Sequence, residues 1–344
     1  MLRDSNSLKI SAGNITHVAD MLVSNQCKGK ILYVSDFVVD NLFGDVVKEQ
    51  LKDLDSVAEE LVDNNTISYA MAIAENVIIS EIKCIVGLGG GKVLDVCKYA
   101  AYIAKVPLLS IPTTMANDGI ASPIAVLKGK DNKPKSLGCA VPSMLLLDTD
   151  LILSSPVSLI KAGIGDTISN YTALIDWDFA CSRYMDDMNG YAYLMSKTSL
   201  DIMMKTQYNS ICPDFINVLA NSLVLSGIAM NFAGSSRPVS GSEHLFSHAL
   251  DYYGTVRNLH GIQVALGTIA VLKIIGLDYS NVAEYLSKFD VCINPRKLEI
   301  DQSTFIHCLQ NATKMRKNRY THLNEADLST QRLEKIYHEL EREL

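Results

Sequence analysis

Over the first 150 residues, short apolar runs alternate with helix-length amphipathic segments, the pattern produced by parallel strands joined through crossover helices. It predicts strands at ILYVS (31–35), near DSVAEE (55–60), at KCIVGLG (83–89) and at PLLSIP (107–112), with helices over 37–51, 66–80 and 91–104. From 121 to 150 the texture becomes β-rich, and GKDNKP supplies a bend, so a hairpin inserted after the α/β core is expected. Beyond Pro156 strand signals fade, and 190–207, 215–233 and 260–275 carry helical spacing. The pattern divides the chain near Leu153–Pro156 into an α/β domain, 1–154, and an all-α domain, 155–344, with no internal repeat or low-complexity tract.

Composition adds boundaries to this picture. A chain of 344 residues can bury two cores, and 48% hydrophobic with 20% charged residues is a globular balance. The net charge of -7 gives no electrostatic reason to bind nucleic acid or an anionic membrane. The opening MLRDSNSLKI lacks the basic and then apolar run of a signal peptide. The longest apolar stretch, GIQVALGTIAVLKIIGL, is interrupted by Gln263 and Lys273 and reads as a buried helix, not a membrane span. Eight cysteines without a CxxC pair suit a reduced, cytoplasmic protein better than a disulfide framework.

Candidate chemistry begins at GLGGGKVLDVCKYAA, which follows one predicted strand and opens a predicted helix. Glycines let backbone approach a phosphate closely, and a helix N-terminus offers unpaired N–H groups, so Gly89, Gly90, Gly91, Lys92 and Asp95 are candidate cofactor contacts. The stretch is not a Rossmann fingerprint, because GxGxxG counted from Gly87 meets Lys92 at its last position, and no suitably spaced acid follows. The available acid is Asp36, at the end of the 31–35 strand. It would either accept hydrogen bonds from an adenosine ribose and disfavour a 2′-phosphate, or cap the next helix.

IPTTMANDGIASP follows the next strand, where ligand-contacting loops gather; Thr113 and Thr114 are placed to reach a cofactor and Asp118 a substrate hydroxyl, with a cap-and-turn role for Asp118 as the alternative. LIKAGIGDTISNYTALIDW puts Asp166 after an expected glycine turn at the mouth of an apolar helix. Three of the seven histidines, His244, His248 and His260, fall within 17 residues. A carboxylate plus imidazoles can hold a divalent metal with a position open for substrate. Spacing alone favours His244 and His248, four apart on one helix face, as the pair.

GLGGGKVLDVCKYAA, PTTMANDGIASP, AGIGD, SGSEHLFSHALD, LHGIQVALG and RYTHLNE, in that order, resemble the glycerol-1-phosphate dehydrogenases, within the superfamily of iron-containing alcohol dehydrogenases, glycerol dehydrogenase and dehydroquinate synthase. The resemblance runs from about Lys9 to Glu325. It implies a dehydroquinate synthase-like fold, with an α/β nucleotide domain and a helical domain that holds metal and substrate. The implied activity is a nicotinamide-dependent (NAD or NADP), cytoplasmic oxidoreductase that reduces dihydroxyacetone phosphate to sn-glycerol 1-phosphate, as a homo-oligomer. It implies one divalent metal, zinc above nickel or iron, on Asp166, His244 and His260. His248 then faces the substrate, holding its phosphate or relaying a proton, while Asp118, Ser122 and Lys128 line the substrate and nicotinamide end. One departure is visible: Ala116 stands where the family usually has serine, which bears on substrate and cofactor preference.

Three rivals remain. Glycerol dehydrogenase shares the metal set but takes an uncharged triol; AGIGD, NDGIASP and RYTHLNE favour the phosphate-using branch. Dehydroquinate synthase-like cyclases typically begin their metal set with Glu, where this chain has Asp166. A catalytically silent homologue would have no need of an intact triad.

Overall fold

The computed structural model describes residues 7–342. By packing, the described residues fall into two compact units: one contains 7–156 together with 212–231, the other 157–211 and 232–342.

Among the described residues the first unit has eight strands: β1 (Leu8–Ser11), β2 (Ile31–Ser35), β3 (Val57–Leu61), β4 (Cys84–Gly89), β5 (Leu108–Pro112), β6 (Ile124–Lys128), β7 (Pro134–Gly138) and β8 (Met144–Asp148). Six form one parallel sheet in the order β1-β8-β5-β4-β2-β3. Along β2 and β4 successive residues go to opposite faces and both faces are covered, which is why these strands read as unbroken apolar runs. Leu32, Val34 and Ile85 pack under the helices Ile67–Ile79 and Gly91–Ala104. Ile31, Tyr33 and Val86 pack under Val18–Ser24 and Asp45–Lys52.

The expected hairpin is β6–β7, antiparallel, with Ile124 opposite Gly138 and Lys128 opposite Pro134. The rest of the β-rich stretch departs from expectation, since β8 leaves the hairpin and enters the main sheet between β1 and β5. MLLLD is buried at every position, as a strand covered on both faces must be, whereas β6 alternates buried and open. Strand β1 is an addition to the predicted set; four half-open residues, LKIS, carry too little periodic signal. Asp148, at the end of β8, accepts from Gly13 N (3.2 Å) and Ile15 N (2.8 Å) and so anchors the turn that follows β1.

The helix Pro213–Ala233 packs with the first unit although it lies within the helical half of the sequence. A Cβ on Gly227 would stand 2.5 Å from the carbonyl carbon of Ala121, so this helix rests against backbone of the 113–122 loop. Among the described helices it alone is long and apolar enough to cross a membrane by length and composition, and most of it is buried in the protein.

The second unit is helical. Its centre is His260–Ile275, apolar around most of its circumference and buried accordingly, with Val157–Ile168 and Ser242–Tyr253 packed on it. AGIGD is not a turn: residues 162–166 are the last turns of the helix Val157–Ile168. Gly165 is tolerated there because the crossing helix takes the space of its side chain. A Cβ on Gly165 would lie 2.2 Å from Gly261 O, and a Cβ on Gly261 would lie 1.8 Å from Ala162 O.

Candidate active site

That glycine contact decides which side chains meet. Asp166 follows Gly165 and His260 precedes Gly261, so backbone contact between the two helices brings a carboxylate to an imidazole. His260 Nε2 stands 3.6 Å from Asp166 Oδ1. The third helix crosses at Gly267, where a Cβ would lie 2.9 Å from Glu243 O, and this seats His244 with its Nε2 3.9 Å from Asp166 Oδ1. The ligand atoms of Asp166, His244 and His260 all lie within 4.8 Å of one another. Ligands about 2.1 Å from a tetrahedral metal are about 3.4 Å apart, so a small contraction would close the set.

The imidazoles are oriented from behind. Glu243 Oε1 lies 2.8 Å from His244 Nδ1, and the buried carboxylate also accepts from Gly241 N (2.6 Å) and Thr172 Oγ1 (2.7 Å). Burial, reinforced by Asp176, pushes the Glu243 pKa up to about 7. Ser247 Oγ lies 3.1 Å from His260 Nδ1 and donates its proton to Gln263 Oε1 at 2.7 Å, which leaves the hydroxyl to accept from Nδ1–H. Both rings therefore turn an Nε2 lone pair toward Asp166, the tautomer a metal ligand needs. Burial lowers both imidazole pKa values to about 3, with the Arg316 charge adding at His244 and the His244 charge at His260; both rings are neutral at physiological pH.

His248 sits outside this cluster. Its ring centroid is 6.4 Å from that of His244 and 6.2 Å from that of His260, and its buried Nε2 makes no hydrogen bond. The nearer partner of His244, at 4.9 Å between centroids, is His260 on another helix and not His248, the i, i+4 neighbour that spacing favours.

In the first unit, the parallel order reverses direction between β2 and β4, and in such sheets the crevice beyond the carboxyl ends of those strands receives the ligand. Val34 pairs with Gly87, so Asp36 and the Gly89–Gly91 turn leave the sheet side by side. Gly90 caps the helix Gly91–Ala104 without a side-chain bond, and nothing lies within 4 Å of a Cβ built on Gly91. Orphan N–H groups above open space form a cradle that fits a pyrophosphate. Asp36 caps its own helix, Oδ1 accepting from Val38 N and Val39 N at 3.0 Å each.

The remaining expected residues are placed unevenly. Thr113 is buried and held through Thr113 N to Gly89 O at 3.0 Å, and Thr114 Oγ1 would lie 3.4 Å from a Cβ built on Gly90. Lys92 directs its ammonium to the carbonyl of Asp63, and Asp95 pairs with Lys98 at 2.8 Å. Ser122 is buried and donates to Ile124 O at 3.3 Å. Lys128 ends β6, exposed, with its backbone N–H bonded to Asn65 O. Asp118 is partly buried, and desolvation pushes its pKa up to about 7 against the pull of the Lys98 charge.

With this geometry in hand, comparison with known proteins is decisive. Residues 9–156 match the iron-containing alcohol dehydrogenase family. The chain is 35% identical over 325 residues to the glycerol-1-phosphate dehydrogenase [NAD(P)+] of Sulfurisphaera tokodaii, covering 94% of this chain and 92% of that one. It is 37% identical to that of Hyperthermus butylicus over 79% and 78% of the two chains. The chain belongs to the glycerol-1-phosphate dehydrogenase family.

Solved structures agree on the fold. A glycerol dehydrogenase from Schizosaccharomyces pombe superposes with a TM-score of 0.78 at 17% identity, over 97% of this chain and 89% of that one. A probable glycerol dehydrogenase from Sinorhizobium meliloti 1021 gives 0.77 at 17%, over 98% and 96%. In this member of the glycerol-1-phosphate dehydrogenase family several residues escaped sequence reasoning. Glu243, Thr172, Ser247 and Gln263 orient the histidines, and only the closeness of Glu243 and Ser247 to His244 and of Gln263 to His260 signalled them. Lys98, buried, donates to Gly119 O (2.8 Å) and to Ile124 O, pinning both ends of the Asp118–Ser122 segment; inside an apolar helix it gave no signal beyond its own presence.

Proposed function

We propose that this chain interconverts dihydroxyacetone phosphate and sn-glycerol 1-phosphate with a nicotinamide dinucleotide and a divalent metal, the dinucleotide assigned to 1–154 and metal and substrate to 155–344. The observation that carries the reading is the convergence of Asp166, His244 and His260, supported by relatives named for this activity over nearly the whole chain. One carboxylate and two neutral imidazoles suit zinc, with nickel and iron as alternatives.

Asp166, His244 and His260 would hold a divalent cation, which would supply Lewis-acid polarisation of the substrate carbonyl. The protein's part is preparation: Glu243 and Ser247 fix the ring orientations, burial keeps His244 and His260 unprotonated, and His248 presents an unbonded Nε2 to the substrate. Asp118 holds a proton up to pH about 7 and is assigned its delivery to the alcohol oxygen in reduction. Lys98 fixes the segment that carries Asp118. The Gly89–Gly91 turn is assigned the pyrophosphate and Asp36 the ribose, which favours NAD over NADP. The Lys92 and Lys128 ammonium groups have lesser parts here, the first being tied to Asp63 O. Free cysteines suit a reducing, cytoplasmic setting, and the exposed Tyr191 and Leu194 on one helix suit a homo-oligomer.

The test is NADH oxidation by metal-reconstituted protein with dihydroxyacetone phosphate against dihydroxyacetone, with the product's stereochemistry assigned. Strong preference for the phosphate, with sn-glycerol 1-phosphate formed, is expected. Preference for the uncharged ketone would move the chain to the glycerol dehydrogenases.

A further inference from the structure

A second charged cluster lies beside the histidines in the helical unit. Arg316 Nη1 donates to Ser236 Oγ at 2.9 Å, and Arg319 Nη2 donates to the same oxygen at 3.0 Å. Arg319 also donates through Nη1 to Ser240 O. Two guanidinium groups thus share one hydroxyl oxygen, which has two lone pairs and can accept both. Among the described residues neither has a carboxylate ion-pair partner, although Arg319 is only 8% exposed and Arg316 is partly buried. Arg237, in the same neighbourhood, shows the ordinary arrangement, with its Nε 2.9 Å from Asp186 Oδ2. Adjacent buried cations repel one another and are costly without an anion, so the pair is a poor structural device taken alone.

Its position gives it a use. Ser236 and Ser240 bracket the turn Arg237–Val239 that leads into the helix carrying His244 and His248, and the turn Ala312–Lys314, just before Arg316, packs on that same helix. The Arg316 charge bears on His244, His248 and His260 alike. Arg319 has both terminal nitrogens tied to protein, whereas Arg316 is bonded only through Nη1, leaving Nε and Nη2 to donate elsewhere. A planar guanidinium with two free donors is matched to two oxygens of a phosphoryl group.

We infer that Arg316 and Arg319 form the subsite for the substrate's phosphoryl group, Arg316 as its direct donor, Arg319 as the buried cation that positions Arg316, and His248 Nε2 as a further donor between this subsite and the metal ligands. The inference rests on the proposed phosphate-ester substrate and extends it. The family resemblance pointed to His248 alone, and the proposal adds the charge that a dianion needs. A basic cluster, RKNR at 316–319, was visible in the sequence, but nothing there showed that its first and last members turn inward together while Lys317 and Asn318 stay exposed.

The experiment compares wild type, Arg316→Met, Arg316→Gln and Arg319→Met, each metal-loaded, with metal content and melting temperature recorded. It measures kcat and KM for dihydroxyacetone phosphate and for dihydroxyacetone, and inhibition by inorganic phosphate. Loss of a charge-assisted pair of hydrogen bonds is expected to lower the kcat/KM ratio of phosphorylated to free ketone about 30- to 100-fold, mainly through KM, and to weaken phosphate inhibition by a similar factor. Equal losses on both ketones with unchanged phosphate inhibition would overturn the inference and make the arginines structural. If wild type shows no preference for the phosphorylated ketone, the functional reading fails; the subsite still stands if inorganic phosphate inhibits wild type and not Arg316→Met, and falls if phosphate inhibits neither.

Discussion

Single side chains set the chemistry through the groups behind them. Ser247 makes no contact with a substrate in this reading, yet it decides which nitrogen of His260 carries the proton. Ser247→Ala is expected to weaken metal binding about 10- to 100-fold, measured by competition with a chromogenic chelator. Asp118 offers a pH signature. Its pKa of about 7 lies above the ordinary 3.8, so between those values the folded chain binds more protons than the unfolded one. The stability this group contributes is therefore full below pH 3.8 and lost as pH rises through 7. As a proton donor it fails in the same direction: ketone reduction should decline above pH about 7, and Asp118→Asn should lower kcat and abolish that limb of the profile. An unchanged profile in Asp118→Asn would assign the proton to another group. Asp36 separates two roles in one residue, since it caps a helix and is assigned the ribose. Asp36→Ser keeps a capping oxygen but removes the charge, and the NADPH-to-NADH ratio of kcat/KM should rise about tenfold or more while the melting temperature holds.

At the scale of elements, the proposed metal site is a product of helix crossings. Gly165 and Gly261 permit backbone to touch backbone, and the residues next to them, Asp166 and His260, meet as a result. Gly261→Ala must push the helices apart, because its Cβ would stand 1.8 Å from Ala162 O. Overpacking of this kind costs about 1–3 kcal/mol, and the variant should both melt several degrees lower and lose metal affinity. Calorimetry with metal analysis checks the pair of effects; lower stability with full affinity would show that the ligands reach the ion without the close crossing. The same crossing explains why AGIGD misled as a turn. Glycine normally signals a break in a helix, and the tertiary reason for keeping one inside is invisible along the chain. By contrast β2, β4, β5 and the helices Ile67–Ile79 and Gly91–Ala104 followed from periodicity, since each is long enough to show its pattern, whereas the helix expected over 37–51 is divided by a π-helical segment, Asp40–Gly44, and the seven-residue helix Val18–Ser24 was not predicted. β8 was misplaced because a run of apolar residues says that a strand is buried without saying beside which neighbour.

At the scale of the molecule, all the proposed metal ligands belong to the second unit and the glycine turn to the first. Metal removal by chelation should therefore speed amide hydrogen exchange in Val157–Ile168, Ser242–Tyr253 and His260–Ile275, while β4 and β5 keep their protection. Uniform loss of protection across both units would show instead that the metal supports the whole fold. The unit boundaries are themselves a tertiary matter, because Pro213–Ala233 reads as one more helix of the second half and packs with the first. The sequence by itself determined the strands with long apolar runs, the helical second half, the glycine turn, and, through the order of six motifs, the residues in which a metal and a dinucleotide site should be sought. Local periodicity and residue chemistry suffice for those. Spacing alone favoured His248 beside His244 and the resemblance favoured His260, whose ring is the nearer in the fold; only the tertiary structure decided that Glu243 and Ser247 orient the rings and that Arg316 and Arg319 come together on Ser236, because each of these depends on distances between segments that the chain order leaves free.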